Sequence, residues 1–208
     1  LGDDSLLVMD STKVADNQLS SPTQFLQLVN DTGSVGAQRI RAGRDLEVDL
    51  GSGNDAVTLL AVEAARDSRI VTGLGVDTAT ISNLRAGRNL EILDVQSLAL
   101  RNATTGGEVR LTGTAVDDRF WIDNISALRI TGDLRTGDDR LVLGDTLFAR
   151  AGVFFLGGRG SNRASAGWSG AGAALFDFTL DLDITTSLSL LSGILAASPQ
   201  PSIPIETP

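Results

Sequence analysis

The sequence contains no cysteine and no histidine. Without cysteine the chain can form neither disulfides nor thiolate metal sites. Without histidine it has neither the usual general base near neutral pH nor the commonest transition-metal ligand. Carboxylates and arginines are therefore the main groups left for chemistry.

Proline and aromatic residues are also scarce. There are 5 prolines, none of them between Pro22 and Pro199, and aromatic residues make up 4% of a chain that is 42% apolar. Because proline cannot donate to a strand ladder, its absence favours a body in which nearly every backbone N–H belongs to one. A narrow core of Val, Leu, Ile and Ala fits the rest of the composition.

Two further absences limit the partners. No stretch is long and apolar enough to cross a bilayer, so membrane insertion is not expected. The formal net charge is −9, with Lys13 as the only lysine. An acidic chain of this kind disfavours nucleic acid and anionic membranes as partners.

The strongest positive signal is a repeated Gly/Asp turn followed by a short strand. The clearest copies are residues 51–59, 73–81 and 136–143, and weaker ones lie at 2–8, 116–122 and 160–166. In each copy apolar residues occupy alternate positions after the turn, which is typical of a half-buried strand. A repeat of fixed period indicates a solenoid.

The turn residues give the length of the repeat. Asp55 and Asp77 are 22 residues apart (77 − 55), Asp118 and Asp139 are 21 apart, and Asn162 follows 23 later. The gap of 41 from Asp77 to Asp118 fits two coils, with Gln96 at the intermediate corner. Every corner is followed by corner-x-apolar-x-apolar, and these pairs are predicted to stack inside the coil. The pairs are Leu6/Val8, Val57/Leu59, Ala79/Ile81, Leu98/Leu100, Phe120/Ile122, Leu141/Leu143 and Ala164/Ala166.

A second strand can be recognised about half a period later, in residues 41–48 and 85–92 and more loosely in 109–111 and 128–130. The sequence therefore predicts an all-β, right-handed parallel β-helix with about 21–23 residues per coil. The right-handed sense follows from the usual hand of crossovers between parallel strands. An antiparallel sandwich is the alternative, but its strands do not usually repeat one motif in register.

Three regions are expected. Residues 1–38 form an N-terminal coil and irregular segment, 39–166 the regular β-helix body, and 167–208 a hinge, an amphipathic strand and an extended tail rich in proline. In the last region strict alternation predicts one half-buried strand outside the solenoid period. Its apolar face comprises Phe176, Phe178, Leu180, Leu182 and Ile184.

The column of corner aspartates, Asp55, Asp77, Asp118 and Asp139, is the candidate metal site. Like charges stacked about 5 Å apart repel, and Ca²⁺ with oxygen ligands would relieve that repulsion. In the alternative interpretation Asp and Asn side chains bond the backbone and hold the corner. Gln96 and Asn162 interrupt the charge of the column, which favours the second interpretation. No other cofactor is expected.

Other polar motifs are weaker. The pairs Arg41/Arg44 and Arg85/Arg88 either balance acidic neighbours on adjacent coils or line a glycan groove. Asp117/Asp118 and Asp138/Asp139 are adjacent carboxylates, and neighbours in a strand point apart, so neither is a convincing acid/base pair. No catalytic residue is predicted, and the chain is not expected to be an enzyme.

Residues 39–166 resemble the β-helical repeats of large bacterial extracellular proteins: adhesins, surface fibres and RTX-type modules. The phrases that carry the resemblance are residues 51–59 and 86–92. Residues 51–55 are similar to the calcium-binding RTX motif G-G-x-G-x-D, but RTX repeats recur every nine residues, whereas here there is one turn per coil. The resemblance implies a secreted or cell-surface bacterial protein with a structural or adhesive role.

Three functions follow as hypotheses. The first is a subunit of an extracellular fibre, a homopolymer joined through open solenoid ends and through the C-terminal segment. The second is a monomeric adhesin module that binds a glycan or receptor, and the third is a polysaccharide lyase or hydrolase. The chain opens in the middle of a repeat, which suggests a processed end or a piece of a longer product. The residues predicted to form the assembly interface are Trp168, Phe176, Phe178, Leu180, Leu182 and Ile184.

Overall fold

The computed structural model of the chain describes residues 26–29, 34–167 and 173–181. In that part all regular structure is strand, and the sheets stack as a parallel β-solenoid of about 6 turns. The predicted all-β parallel β-helix is thereby confirmed. Within the same residues, no helix is long and apolar enough to span a bilayer.

The strands follow one another in short segments along the chain. In chain order they are β1 Leu26–Val29, β2 Ser34–Gln38, β3 Arg41–Ala42, β4 Leu46–Asp49, β5 Ala56–Ala64, β6 Ser68–Val71, β7 Thr78–Ala86, β8 Leu90–Leu93, β9 Ser97–Thr105, β10 Glu108–Thr112, β11 Arg119–Ala127, β12 Arg129–Asp133, β13 Arg140–Leu143, β14 Leu147–Ala149, β15 Val153–Leu156, β16 Arg163–Ala166, β17 Ala173–Phe176 and β18 Thr179–Asp181.

These strands form two sheets. Sheet one has eight strands in the order β1-β4-β6-β8-β10-β12-β15-β17. Sheet two has ten: β18-β16-β13-β11-β9-β7-β5-β2 in order, with β3 beside β5 and β14 beside β11. Each strand pairs in parallel with its equivalent in the next coil. The chain thus winds from one sheet to the other and back in every coil.

The strand register agrees with the predicted stacking of apolar pairs. Val57 pairs with Ala79, and Leu59 with Ile81, in adjacent coils. Thr78 pairs with Ser97, and Ser97 in turn with Arg119. The 41-residue gap therefore holds two coils with Gln96 at the corner, as predicted. The first predicted pair, Leu6/Val8, lies outside the described residues.

The four long strands of sheet two are bent in the middle, a feature that the sequence reading did not foresee. Ala61, Asn83, Asn102 and Asn124 lie at equivalent bends with φ of 55°, 56°, 53° and 52°. Asparagine tolerates this left-handed conformation better than most residues. Inward-facing residues are two positions apart within each half of the strand and three positions apart across the bend. One strand therefore covers two sides of the coil.

The core is a continuous column of apolar side chains between the sheets. Its largest fully buried members include Phe120 and Phe155. Phe155 pairs in register with Gly132, where an added Cβ would overlap the aromatic ring. Bulk in one coil is therefore matched by a missing side chain in the next, and the interior stays closely packed.

The single strand predicted over Phe176–Ile184 is wrong in the described part of the chain. The chain there forms two strands, β17 and β18, separated by Asp177 at φ 61°. β17 pairs with β15 and β18 with β16, so this segment continues the solenoid as a further coil. The apolar alternation continues across a corner of the coil, so the sequence pattern alone does not reveal that corner. Leu182, Ile184 and the proline-rich tail lie outside the described residues.

Candidate functional site

The recurring corner begins with glycines that bring adjacent coils into close contact. Gly53, Gly75, Gly137 and Gly160 have φ between 139° and 150°. A Cβ on Gly75 would overlap the carbonyl oxygen of Gly53, and one on Gly160 would overlap that of Gly137. Glycine is thus required both for the conformation and for the approach of the backbones.

The aspartates predicted as a metal site lie in one buried column at this corner. Asp55, Asp77, Asp118 and Asp139 are each at most 2% exposed. The N–H of Asp55 donates to Oδ1 of Asp77 over 2.9 Å. The N–H of Asp139 donates in the same way to Oδ1 of Asn162 over 3.0 Å. The side chains of Asp77, Asp139 and Asn162 therefore hold a corner, and the backbone N–H that each accepts belongs to the preceding coil.

A second column of side chains lies beside the first, and its members bond the backbone of the following coil instead of the preceding one. Asn54 Oδ1 accepts the N–H of Val76 over 2.9 Å, and Asp117 Oδ1 accepts that of Asp138 over 2.8 Å. Asp138 Oδ1 in turn accepts the N–H of Ser161 over 2.8 Å. Two ladders of opposite direction thus explain the adjacent carboxylates Asp138 and Asp139, whereas Asp118 bonds within its own coil.

Asp118 has a different environment because Gln96 interrupts the column before it. Its Oδ2 accepts the N–H of Thr114 over 2.8 Å, and its Oδ1 accepts the Thr114 hydroxyl over 2.7 Å. Burial raises the pKa of Asp118 to about 7, assisted by the nearby charge of Asp139 and opposed by the bonds from Thr114.

Two other members of the column, Asp77 and Asp139, also have a raised pKa. Burial raises the pKa of Asp139, and the charges of Asp117 and Asp138 add to the effect. Burial likewise raises the pKa of Asp77, next to Asp55. A neutral side chain is therefore favoured at these positions, and Asn162 is one that the chain already contains.

The calcium prediction rests on these same carboxylates. Over the described residues, no three His, Cys, Asp or Glu side chains form a group that could hold a metal ion. One oxygen of Asp77 and one of Asp139 already accept a backbone N–H. Calcium binding stays a prediction, to be tested by chelation.

The opposite corner contains a third ladder that the sequence reading had not singled out. Asp45 Oδ1 accepts the N–H of Asp67, and Asp67 Oδ1 accepts that of Asn89. Arg88 lies 3.7 Å from Asp67 of the preceding coil, whereas Arg44 lies 2.7 Å from Asp45, its neighbour in sequence. Arginines of the Arg-Ala-Gly-Arg motif therefore balance acidic neighbours, one of the two roles expected for them.

Charge along the outer face of sheet one alternates between coils. Glu47, Arg69, Glu91 and Arg110 pair in register in that order. Arg69 lies 3.1 Å from Glu47 and 3.8 Å from Glu91. Opposite charges on neighbouring strands contribute modestly to stability at the surface.

On the outer face of sheet two, arginines of consecutive coils form a column of positive charge. Arg119 pairs in register with Arg140, and Arg140 with Arg163. All three are exposed and line a groove of about 480 Å³ together with Asp138 and Ser161. The signal was present in the sequence, because each arginine directly follows a corner residue at the solenoid period.

The predicted assembly residues are only partly described. Phe178 is partly buried and packs against the core, and Phe176 and Leu180 lie in β17 and β18. Trp168, Leu182 and Ile184 lie outside the described residues. Other large apolar side chains are exposed. They include Trp121, Phe148, Phe154 and Leu156, at 42%, 57%, 39% and 45% exposure.

No protein-family model, curated protein or solved structure matches the chain. The functional conclusions below therefore rest on the fold and on the geometry of its corners and outer faces.

Proposed function

We propose that the chain is a structural β-solenoid rod that assembles end to end into an extracellular or cell-surface filament. The observation that carries the proposal is the direction of the pairing. In the described residues every strand pair is parallel and joins adjacent coils, so each coil is completed by the coil next to it.

The end strands of this stack have an edge that the described residues do not pair. β1 and β2 lie at one end, and β17 and β18 at the other. Such edges present N–H and C=O groups that another chain can pair with. A contact between the two different ends does not close on itself and therefore generates a filament.

The corner ladders show how neighbouring coils of the stack are held in register. Their side chains bond the backbone of the adjoining coil, in both directions along the axis. The first ladder stops at Asn162, because the register places Phe178 at the corner of the next coil, so a second copy would join that end through strand pairing. Glycine corners that approach closely add a steric requirement for an equivalent partner.

Deletion of residues 175–208 tests how the copies are joined. If strand and tail addition by that segment joins them, the intact chain forms filaments and the shortened chain forms short soluble particles. The deletion also removes β18 and the second half of β17, so circular dichroism is needed to verify that the remaining coils stay folded. Polymers that persist after deletion would exclude the C-terminal segment as the joint.

A second candidate, the monomeric adhesin module that binds a glycan, is favoured by one observation. The arginine column of sheet two lies in a groove, where a ligand could contact several coils at once. The resemblance to adhesins and RTX-type modules agrees with this candidate as well as with the filament.

A further inference from the structure

Arg119, Arg140 and Arg163 form a column in which consecutive coils carry the same charge. In the described residues none of the three has an ion pair, although arginines elsewhere lie against Glu or Asp of an adjacent coil. Like charges directly opposite each other on neighbouring strands are destabilising. The column therefore lowers the stability of the free protein, and an external anion would relieve the repulsion.

The surroundings of the column indicate what kind of anion fits. The hydroxyls of Ser161 and Ser165 line the same groove, as does the carboxylate of Asp138. Trp121 belongs to the adjacent outward column and is 42% exposed, with the Arg101 guanidinium 3.4 Å from its ring centre. Charged donors, hydroxyls and an exposed indole suit a ligand that has anionic groups, hydroxyls and apolar ring faces.

We propose that this groove binds a linear polysaccharide bearing carboxylate or sulfate groups, lying along the solenoid axis. One arginine per coil, about 4.8 Å apart, matches a polymer with closely repeated charges better than a single small anion. Guanidinium groups hold planar carboxylates, and sulfates, through paired hydrogen bonds. The inference rests on the adhesin candidate and is independent of filament formation.

Nucleic acid is the competing polyanion, and the neutral groups of the groove favour a polysaccharide over it. Asp117 and Asp138 are exposed and lie two residues before Arg119 and Arg140, so a column of carboxylates runs beside the arginines. These carboxylates and the formal net charge of −9 oppose any polyanion. The serine hydroxyls and the exposed indole suit the hydroxyls and ring faces of a sugar chain, and DNA serves as a comparison in the test.

The test is calorimetric binding of the intact chain to polygalacturonate and to dextran sulfate, with neutral dextran, inorganic sulfate and a DNA oligonucleotide as comparisons. The triple variant Arg119→Gln, Arg140→Gln, Arg163→Gln is compared with Arg69→Gln, Arg110→Gln, Arg129→Gln. The second triple removes the same charge from sheet one. We expect the first to lose affinity for an acidic polysaccharide by roughly tenfold or more, and the second to change it little.

The remaining outcomes contradict the proposal in distinguishable ways. Equal losses in both triples would mean that only net charge matters. Stronger binding of inorganic sulfate or DNA than of either acidic polysaccharide, or no binding of either, would overturn the assignment of the ligand. Binding of neutral dextran instead would retain the adhesin candidate while refuting an anionic ligand.

Thermal unfolding supplies a second readout. Since Arg140 has an arginine on both sides, Arg140→Gln is expected to raise the midpoint of the free protein while weakening polysaccharide binding. A lowered midpoint with unchanged binding would assign Arg140 a structural role and refute the proposed site.

Discussion

The backbone N–H of Asp118 donates to Oδ1 of Asp139, 21 residues later, over 2.9 Å. Both residues are almost fully buried, so the side chain of one coil satisfies a backbone donor of the coil before it. Buried donors without partners are costly. The recurrence of Asp or Asn at this corner therefore has a structural cause, which is the pairing of a buried backbone donor in the preceding coil.

The raised pKa of Asp118 predicts a pH dependence of stability. Its pKa is about 7 in the folded protein, against 3.8 ordinarily, because burial disfavours the carboxylate. The folded state holds this proton more tightly, so the free energy of unfolding falls as pH rises from about 4 to about 7. The expected loss is on the order of 2–4 kcal/mol, measured by urea unfolding at several pH values.

Asp118→Asn is expected to remove most of that dependence and to stabilise the protein at pH 8. Asparagine can accept the Thr114 N–H and donate to the Thr114 hydroxyl. Asn162, at the equivalent position, already accepts one hydrogen bond and donates another, to other groups. Asp117→Asn is the control, since it changes the adjacent exposed carboxylate. The account would be contradicted if both variants kept the original pH profile, or lost it equally.

The bend in β5 predicts a stabilising substitution. Ala61 is exposed with φ of 55°, where alanine is strained. The equivalent Asn83, Asn102 and Asn124 form a ladder, with Asn124 Nδ2 donating to Asn102 Oδ1 over 2.7 Å. Ala61→Asn is expected to raise the free energy of unfolding by about 1 kcal/mol, through relief of strain and extension of the ladder.

The control for this substitution is Thr58→Asn, at an exposed position on the same strand without the left-handed conformation. Asparagine is disfavoured in extended strands, so this change is expected to be neutral or slightly destabilising. Equal effects of the two substitutions in thermal unfolding would show that the bend is not the cause.

The close approach of the corners predicts a severe effect at Gly75. A methyl group there would overlap the carbonyl oxygen of Gly53, and φ is 150°. Gly75→Ala is expected to destabilise the solenoid by about 3 kcal/mol or more, observed as a lower denaturation midpoint. Leu74→Ala, at a neighbouring residue that is 79% exposed, is expected to change the free energy of unfolding by less than about 0.5 kcal/mol. Similar losses in both would contradict the steric explanation.

The sequence predicted the solenoid, its period and the stacked apolar pairs because these follow from a repeated local pattern. Even the degenerate corner at Gln96 could be placed, since a gap of 41 residues leaves room for one more coil. The corner at Asp177 could not, because the apolar alternation continues across it. Alternation identifies the faces of a strand but does not reveal a left-handed residue between two strands.

The candidate functional residues were harder to predict. The aspartates were recognised, but their carboxylates could belong to an ion or to a backbone N–H, and only the register between coils shows the second arrangement. The arginine column repeats at the solenoid period as well. It was overlooked because its members are exposed and follow the more conspicuous corner residues.

Electron microscopy of the purified chain in negative stain, with and without a calcium chelator, tests the proposed filament most directly. Because the corner carboxylates bond the backbone of adjacent coils, the account predicts filaments that survive chelation. Filaments that dissolve on chelation would assign the aspartate column to an ion site. Single short particles in both samples would contradict end-to-end assembly.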